Sequence, residues 1–345
     1  MDSLIRNARK RIVEKKPDHI GYANIKIIGC GGAGNNTVDR LMKIGINGAK
    51  CISINTDRQH LDMNDSNIKV LIGKNLTRGL GAGGNPEIGR AAAEESREEL
   101  TELLRESDLV FITCGEGGGT GTGSAPIVAE IAKLEGAIVV GVVTLPFNTE
   151  IGRIDKAKKG LEQLKQYADT LIVIDNNRLL DIAPDLPILE AFSVADEVLA
   201  TMVKGITETI SMPSLINLDF ADVRTILSTG GVAIVGVGES NSKDNRVEEA
   251  INDALDSPLL DVSIDGARGA LIHICGGNDM TLAEANSVAR LIAEKMDVND
   301  SMVIWGARVS EEFAGYIRVM LLITGIKSPQ IFGNPLPSNQ DLMNQ

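Results

Sequence analysis

Along the chain, short apolar runs rich in β-branched residues alternate with stretches whose apolar positions recur at helical spacing. The runs Ile25–Ile28, Cys51–Ile54, Leu109–Thr113, Ile138–Leu145 and Leu171–Ile174 read as buried strands. Strands separated by helices in this way form βαβ units, so residues 24–188 are expected to make a mostly parallel, doubly wound α/β domain of Rossmann-like type. One helix start is explicit: Asn85 can cap, Pro86 suits the first helical position, and a run rich in Ala, Glu, Leu and Arg continues to Glu106. Between Leu189 and Ile210, the residues Phe192, Ala195, Val198, Leu199, Met202, Val203, Ile206 and Ile210 cover much of a helix circumference. A helix apolar nearly all round is buried on more than one side, so residues 189–212 are read as a spine between two domains.

Beyond it, strands are expected at Val232–Val237, Ala270–Cys275, Met302–Val309 and Ile317–Thr324, and helices at about 244–255 and 281–296. Thr281 and Glu284 have capping-box spacing. Residues 213–326 thus make a smaller α/β or α+β domain. At the two ends the pattern changes. Residues 1–23 carry Leu4, Ile5, Ala8 and Ile12 at helical spacing with six basic residues, the mark of a short appended helix. Residues 327–345 are rich in Pro, Asn, Gln and Ser and read as a flexible tail.

Composition narrows the function. The 345 residues carry a net charge of −13, which argues against a non-specific nucleic-acid surface and against unaided binding to anionic lipid. Cys30, Cys51, Cys114 and Cys275 are widely spaced in or beside apolar runs, as buried thiols in a reducing cytoplasm would be. Three histidines, none in a metal-binding pattern, offer no zinc site. No stretch approaches the ~18 apolar residues of a membrane span, and the N-terminus lacks the apolar core of a signal peptide.

The chemistry lies in three glycine-rich stretches. Ile27-Ile28-Gly29-Cys30-Gly31-Gly32-Ala33-Gly34-Asn35-Asn36 runs from a strand into a glycine turn and a helix. There backbone N–H groups at a helix start can hold phosphate oxygens. Alone it is ambiguous: Gly29, Gly31 and Gly34 satisfy GxGxxG and Asp57 follows the second strand, so a dinucleotide-binding oxidoreductase and a ligand-free turn both stay open. The second stretch, Gly115-Glu116-Gly117-Gly118-Gly119-Thr120-Gly121-Thr122-Gly123-Ser124, is too dense in glycine for a bare turn, because each glycine loses more freedom on folding than any other residue. Its N–H groups and the Thr120 and Thr122 hydroxyls would wrap an anion of several phosphates, with a helix following from Ser124 to Lys133. The third, Gly79-Leu80-Gly81-Ala82-Gly83-Gly84-Asn85-Pro86, can close over the terminal phosphate. The absence of GxxxxGK[ST] excludes an ordinary P-loop nucleotidase.

The run GGGTGTG at 117–123 resembles the signature of the tubulin/FtsZ family, and Thr122 resembles its FtsZ form. The resemblance extends in order over 24–326, through GGAGNN at 31–36, NTD at 55–57, GLGAGGNP at 79–86, LPF at 145–147, the helix with Phe192 and Asp196, and NLDFADV at 217–223. It implies a GTPase that binds GTP and GDP with Mg²⁺ and assembles head to tail with copies of itself into filaments of the cell-division ring. The implied nucleotide contacts are Gly31, Gly32, Ala33, Gly34, Asn35 and Asn36, then Ala82, Gly83 and Gly84. They continue with Gly118, Gly119, Thr120, Gly121, Thr122 and Gly123, and with Pro146, Glu150, Arg153, Asn176, Phe192 and Asp196. The segment Glu150-Ile-Gly-Arg departs from the family's usual Glu-Gly pattern and is one residue shorter before Gly160. Phe192 and Asp196 share a helix face, where a ring can stack on a purine and a carboxylate can accept from both N1–H and the N2 amine of guanine.

Asn217, Asp219 and Asp222 are the implied catalytic set. Phosphoryl transfer to water requires a positioned and polarised nucleophile, whereas acids held permanently beside a triphosphate would repel it. Delivery of Asp219 and Asp222 by the next subunit meets both demands and makes hydrolysis wait for assembly. The resemblance also implies membrane-tethering and division adaptor proteins as partners, with the chain itself cytoplasmic at the division site and neither inserted in the membrane nor bound to nucleic acid. A related tubulin-like cell-shape GTPase and a GTP-binding scaffold without turnover are the alternatives of similar fold. The NAD-dependent oxidoreductase, the alternative of a different class, is disfavoured by the two further glycine loops and the want of a catalytic histidine.

Overall fold

The structure, a computed structural model, describes residues 23–178, 185, 187–211, 219–242, 245–256, 267–296 and 302–326, without the side chains of 188, 189, 191, 192 and 195. The expected N-terminal extension up to residue 22, the tail from 327 and Asn217 lie outside the described residues.

Strand β1 (Ile25–Cys30) is buried along its whole length. It is flanked in parallel by β2 (Ala49–Asn55) and β4 (Leu109–Gly115), with Ile25 opposite both Ala49 and Leu109. With β3 (Ile68–Leu71), β5 (Ile138–Leu145) and β6 (Thr170–Asp175), the order β3-β2-β1-β4-β5-β6 is that of a doubly wound sheet. Both faces of such a sheet are covered, which is why these strands are apolar at nearly every position. Ile25, Ile27, Phe111 and Val140 point into one core. Ile28, Ile52, Val110 and Ile112 point into the other.

The crossovers carry α1 (Gly31–Ile44), α2 (Arg58–Met63), α3 (Lys74–Thr77), α4 (Pro86–Glu95), α5 (Arg97–Leu104), α6 (Thr120–Leu134) and α7 (Ile151–Lys165). The helix expected from Asn85 to Glu106 is in fact two. Asn85 caps α4 through its side chain, which accepts from Glu87 N at 3.0 Å. The run then breaks at Ser96, whose hydroxyl accepts from Gly73 N at 3.2 Å. This tertiary bond outweighs a local helical preference that varies little along the segment. β3 is only four residues long, and the sequence pattern did not single it out.

The sheet continues past β6. After α8 (Ile188–Ser211) and α9 (Phe220–Ser228), β7 (Val232–Ser240) pairs in parallel with β6 through only Leu171↔Val232 and Ile172↔Ala233. β10 (Ile317–Ile326) then runs antiparallel to β7 and to β8 (Gly269–Gly276), and β9 (Met302–Val309) closes the edge parallel to β8. Helices α10 (Arg246–Leu255) and α11 (Leu282–Lys295) cover one face of this mixed half. The Thr281–Glu284 capping box is formed. The expected α/β fold, a doubly wound half joined by a long helix to a smaller mixed half, is thus observed. Helix α8 packs Leu199, Met202, Val203 and Ile206 into the same core as Ile27, Leu271, Met320 and Leu322, so both halves of the sheet bury it. No described helix is long and apolar enough to cross a membrane.

Candidate nucleotide site

Three helix N-termini meet at the carboxyl ends of β1 and β4. The first residues of α1 and α6 touch: a Cβ on Gly31 would lie 2.7 Å from Gly121 N and 3.3 Å from Thr120 Cβ. The start of α4 abuts the same point, because a Cβ on Gly119 would lie 2.8 Å from Asn85 N and 3.0 Å from Ala82 Cβ. Each terminus presents backbone N–H groups without intrahelical partners and the positive end of a helix dipole, a combination that binds phosphate. The loop before α4 is pinned by Gly81 N donating to Thr56 O at 3.1 Å and by Lys156 Nζ donating to Gly84 O at 2.7 Å. The Thr56 and Thr120 hydroxyls are 2.6 Å apart.

The structure divides the expected phosphate contacts into two groups. Gly32, Ala33 and Asn36 of α1 are exposed, and Gly83 and Gly84 take left-handed backbone with φ 58° and 70° and open space where a side chain would be. Gly118 has only Gly115 O nearby, at 3.8 Å from an added Cβ. By contrast Gly34, Gly121 and Gly123 are glycine for packing: a Cβ on Gly121 would lie 3.0 Å from Cys30 O and 3.1 Å from Gly115 O, and one on Gly123 or Gly34 would collide with Pro86 O or Thr113 O. For Gly121, implied as a nucleotide contact, the want of a side chain is required first by packing. Its missing side chain lets α6 seat against β1 and β4, and its N–H group belongs to the helix start.

The expected start of this helix at Ser124 also moves to Thr120, so the glycine-threonine run is its first turn and not a loop. Asn35 is fully buried, and in its satisfied amide orientation it donates to Gly29 O, Gly31 O and Ile54 O and accepts from Asn55 Nδ2 at 3.0 Å. Its side chain serves the fold. Thr122 is likewise turned inward, its hydroxyl accepting from Gly117 N at 2.8 Å.

Next to these termini lies a cleft of ≈ 400 Å³, lined by Ala33, Asn36, Glu116, Thr144, Pro146, Glu150, Arg153, Asn176, Ser193 and Asp196. Asn176 is buried in the cleft wall and its Oδ1 has no hydrogen-bond partner, which leaves an unsatisfied acceptor beside the cleft. Glu150 accepts from Phe147 N at 3.1 Å and pairs with Arg153 Nη1 at 2.6 Å, which brings both residues to the cleft rim despite the shortened segment. Asp196, on α8, accepts from the Thr37 hydroxyl at 3.2 Å. Burial pushes its carboxyl up to about 6, against the opposing pull of that hydroxyl and of Arg40. Phe192 stands one turn earlier on α8, and its side chain is outside the described residues.

Asp57, the acid that kept a dinucleotide fold open, accepts from His60 N at 3.1 Å and caps α2. Sequence reasoning missed one acidic residue. Glu116 lies within the glycine run, where no local signal marks it; it is 4% exposed and lines the same cleft.

Asp219 and Asp222 are not brought to this cleft. Asp219 caps α9, accepting from Ala221 N at 3.4 Å, and both carboxylates are exposed. Helix α9 is tied to the opposite end of the sheet: Leu227 O accepts from the hydroxyl of Thr170, the first residue of β6. α8 makes the separation. It rises about 22 Å from Asp196 to Ser211 at ~1.5 Å per residue. There the Ser211 hydroxyl reaches Asn47 O, just before β2 begins.

Residues 24–184 match the family model described as the GTPase domain of the tubulin/FtsZ family, and residues 231–327 match the C-terminal domain of the FtsZ family. The chain is 57% identical over 334 residues to a protein named cell division protein FtsZ 2 of Methanocaldococcus jannaschii, covering 96% of this chain and 87% of that one. It is 51% identical to the protein of the same name in Haloferax volcanii, covering 99% and 86%. The solved structure titled as an empty FtsZ dimer from M. jannaschii superposes with TM-score 0.84 at 52% identity, over 94% of this chain and 91% of that one. CetZ1 of H. volcanii, solved as a GDP-bound monomer, shares the fold with TM-score 0.77 but only 23% identity, over 90% and 96%. The chain therefore carries a guanine-nucleotide-binding GTPase domain, and it belongs to the tubulin/FtsZ family as a cell-division GTPase of the FtsZ type.

Proposed function

We propose that the GTP phosphates lie across the starts of α1, α6 and α4, that the base lies against α8 with Asp196 accepting its N1–H and N2 amine, and that hydrolysis requires Asp219, Asp222 and Asn217 of a neighbouring copy. The observation that carries this reading is the length of α8. The phosphate-binding termini and Asp196 stand at one end of it, and the carboxylates of α9 follow its other end, so one chain cannot close its own site. In head-to-tail stacking, α9 of one subunit meets the glycine crevice of the next. There Asp219 and Asp222 would orient and polarise the attacking water once the crevice is loaded. The solved relative titled as a dimer supports self-association. Residues 24–188 act as the GTP-binding domain, 189–212 as the connecting helix and 213–326 as the activating domain. Mg²⁺ would be held by the phosphates and water and would supply charge neutralisation. Membrane attachment at the division site is left to adaptor proteins.

The test is specific activity against protein concentration, with sedimentation and electron microscopy in GTP, GDP and no nucleotide. Turnover per molecule should rise above a threshold concentration that coincides with pelletable filaments in GTP. Constant specific activity over a hundredfold concentration range would mean that each monomer holds a complete site.

A further inference from the structure

Glu116 is the one acid inside the phosphate-binding stretch, and the fold has made room for it. It sits at the end of β4, between the first turn of α6 and the middle of α7. A Cβ on Gly160 of α7 would collide with Glu116 Oε2 and with Thr122 Cγ2, so Gly160 is the complement of this carboxyl. Oε2 is buried without a hydrogen-bond partner, and Oε1 has the Cys114 thiol at 3.7 Å. The groups facing it are Cys114 on its own strand, Cys30 on β1, Thr122 on α6 and Gly160 on α7. The Glu150–Arg153 ion pair and Asp196 line the same cleft, with Arg153 packed against Gly117, where an added Cβ would lie 2.8 Å from Arg153 Cβ. Burial holds Cys30 at about 12 and Cys114 well above its ordinary value, so both stay neutral thiols at physiological pH. None of the immediate neighbours is a cation. The carboxyl itself is pushed up to about 7 by burial, which outweighs the Thr122 hydroxyl and the Cys114 thiol that favour its charged form.

A triphosphate at the start of α6 would bring several negative charges close to this group in a poorly screened interior. Like charges disfavour ionisation. Thr122 links the two, since its methyl group flanks Glu116 Oε2 over Gly160 on one side and its hydroxyl accepts from Gly117 N at 2.8 Å on the other, within the turn that leads to the phosphates.

We infer that Glu116 is a positioning residue of the phosphate-binding turn that takes up one proton from solvent when a guanine nucleotide binds, so that nucleotide affinity in this chain is proton-coupled. The inference rests on the reading that the phosphates lie at the starts of α1 and α6. Its sign follows from linkage. The bound state holds the proton more tightly, so affinity is full below pH about 7 and falls as pH rises above it, until the bound-state carboxyl also ionises. Asp196 supplies the opposite limb. Guanine donates to its ionised form, so affinity is lost as pH falls below about 6.

The experiment is calorimetric titration of the full chain with GDP and Mg²⁺ below the assembly threshold, between pH 5 and 9, in pairs of buffers that differ in ionisation enthalpy. For the wild type, uptake approaching one proton per nucleotide is expected above pH about 7, with affinity falling up to about tenfold per pH unit. The nucleotide's own terminal phosphate titrates near pH ~6 and is already ionised there, so it cannot be the acceptor. Glu116→Gln, close in shape and always neutral, should show no proton uptake and no alkaline decline in affinity. Identical profiles for the wild type and the variant, or no uptake by the wild type, would overturn the inference. Asp196→Ala measured alongside separates the two readings. If it weakens GDP binding while the wild type takes up no proton, only the role of Glu116 fails. If Asp196→Ala binds GDP normally, the location of the nucleotide is wrong and the inference falls with it.

Discussion

Asp222→Ala should lower steady-state GTP turnover by about 10²–10⁴-fold, the range lost when a group that positions or deprotonates a nucleophile is removed, and leave GTP binding by the monomer unchanged. Asp222 is exposed in the first turn of α9 and lies beyond the far end of α8 from Asp196 and the glycine crevice. Its loss therefore removes nothing that the nucleotide touches within its own chain. Filaments should still form in GTP and persist longer, because hydrolysis no longer releases them. Phosphate release, equilibrium binding and sedimentation measured on the same preparation decide the matter. Mixing sharpens it. Asp222→Ala subunits retain a whole nucleotide pocket and Asp196→Ala subunits retain whole carboxylates, so a junction of the two in one orientation contains a complete site. Turnover above the sum of the separate variants is expected from the mixture. Loss of GTP binding by the Asp222→Ala monomer would put the carboxylate in its own chain's pocket and end the shared-site reading.

Asp196→Ala should weaken GTP binding by at least about 100-fold and change ATP binding little. Two hydrogen bonds from guanine to a charged carboxylate contribute about 1.5–3 kcal/mol each, and a site built around such bonds discriminates far more strongly than one that merely fits. The carboxylate is already prepared for the task. It is partly withdrawn from water, held by the Thr37 hydroxyl at 3.2 Å, and left with acceptor capacity facing the cleft. Asp196→Asn should shift preference toward xanthine nucleotides, because an amide can donate to the C2 carbonyl of xanthine where the carboxylate accepted from the amine of guanine. Competition binding with GTP, ATP and XTP reads both changes. An equal loss for GTP and ATP would mean that Asp196 holds the pocket's shape and not the base.

What the sequence determined by itself is what neighbouring residues encode. Strands β1, β4, β5 and β6 were legible because buried parallel strands are apolar at nearly every position, and the heads of α4 and α11 because Asn85, Pro86, Thr281 and Glu284 are local signals. The ordered motifs from GGAGNN to NLDFADV identified the family and with it the candidate site residues. Only the tertiary structure decided what each of those residues is for. Gly121 and Gly123 look alike in the sequence to the open Gly83 and Gly84, but the former pair is glycine because β1, β4 and α4 press against α6, and the latter because the backbone turns left-handed in free space. Asn35 reads as a ligand contact until its side-chain amide is seen to bind the carbonyls of Gly29 and Ile54 at two strand ends and of Gly31 at the helix start. Glu116 reads as one polar residue in a glycine run until α7 brings Gly160 over it. The division of labour between Asp196 and Asp222 is set by the length of α8, which carries one to the cleft and leaves the other at the far edge. In each case the deciding quantity is desolvation or distance, and both depend on elements remote in the chain, which no local pattern records.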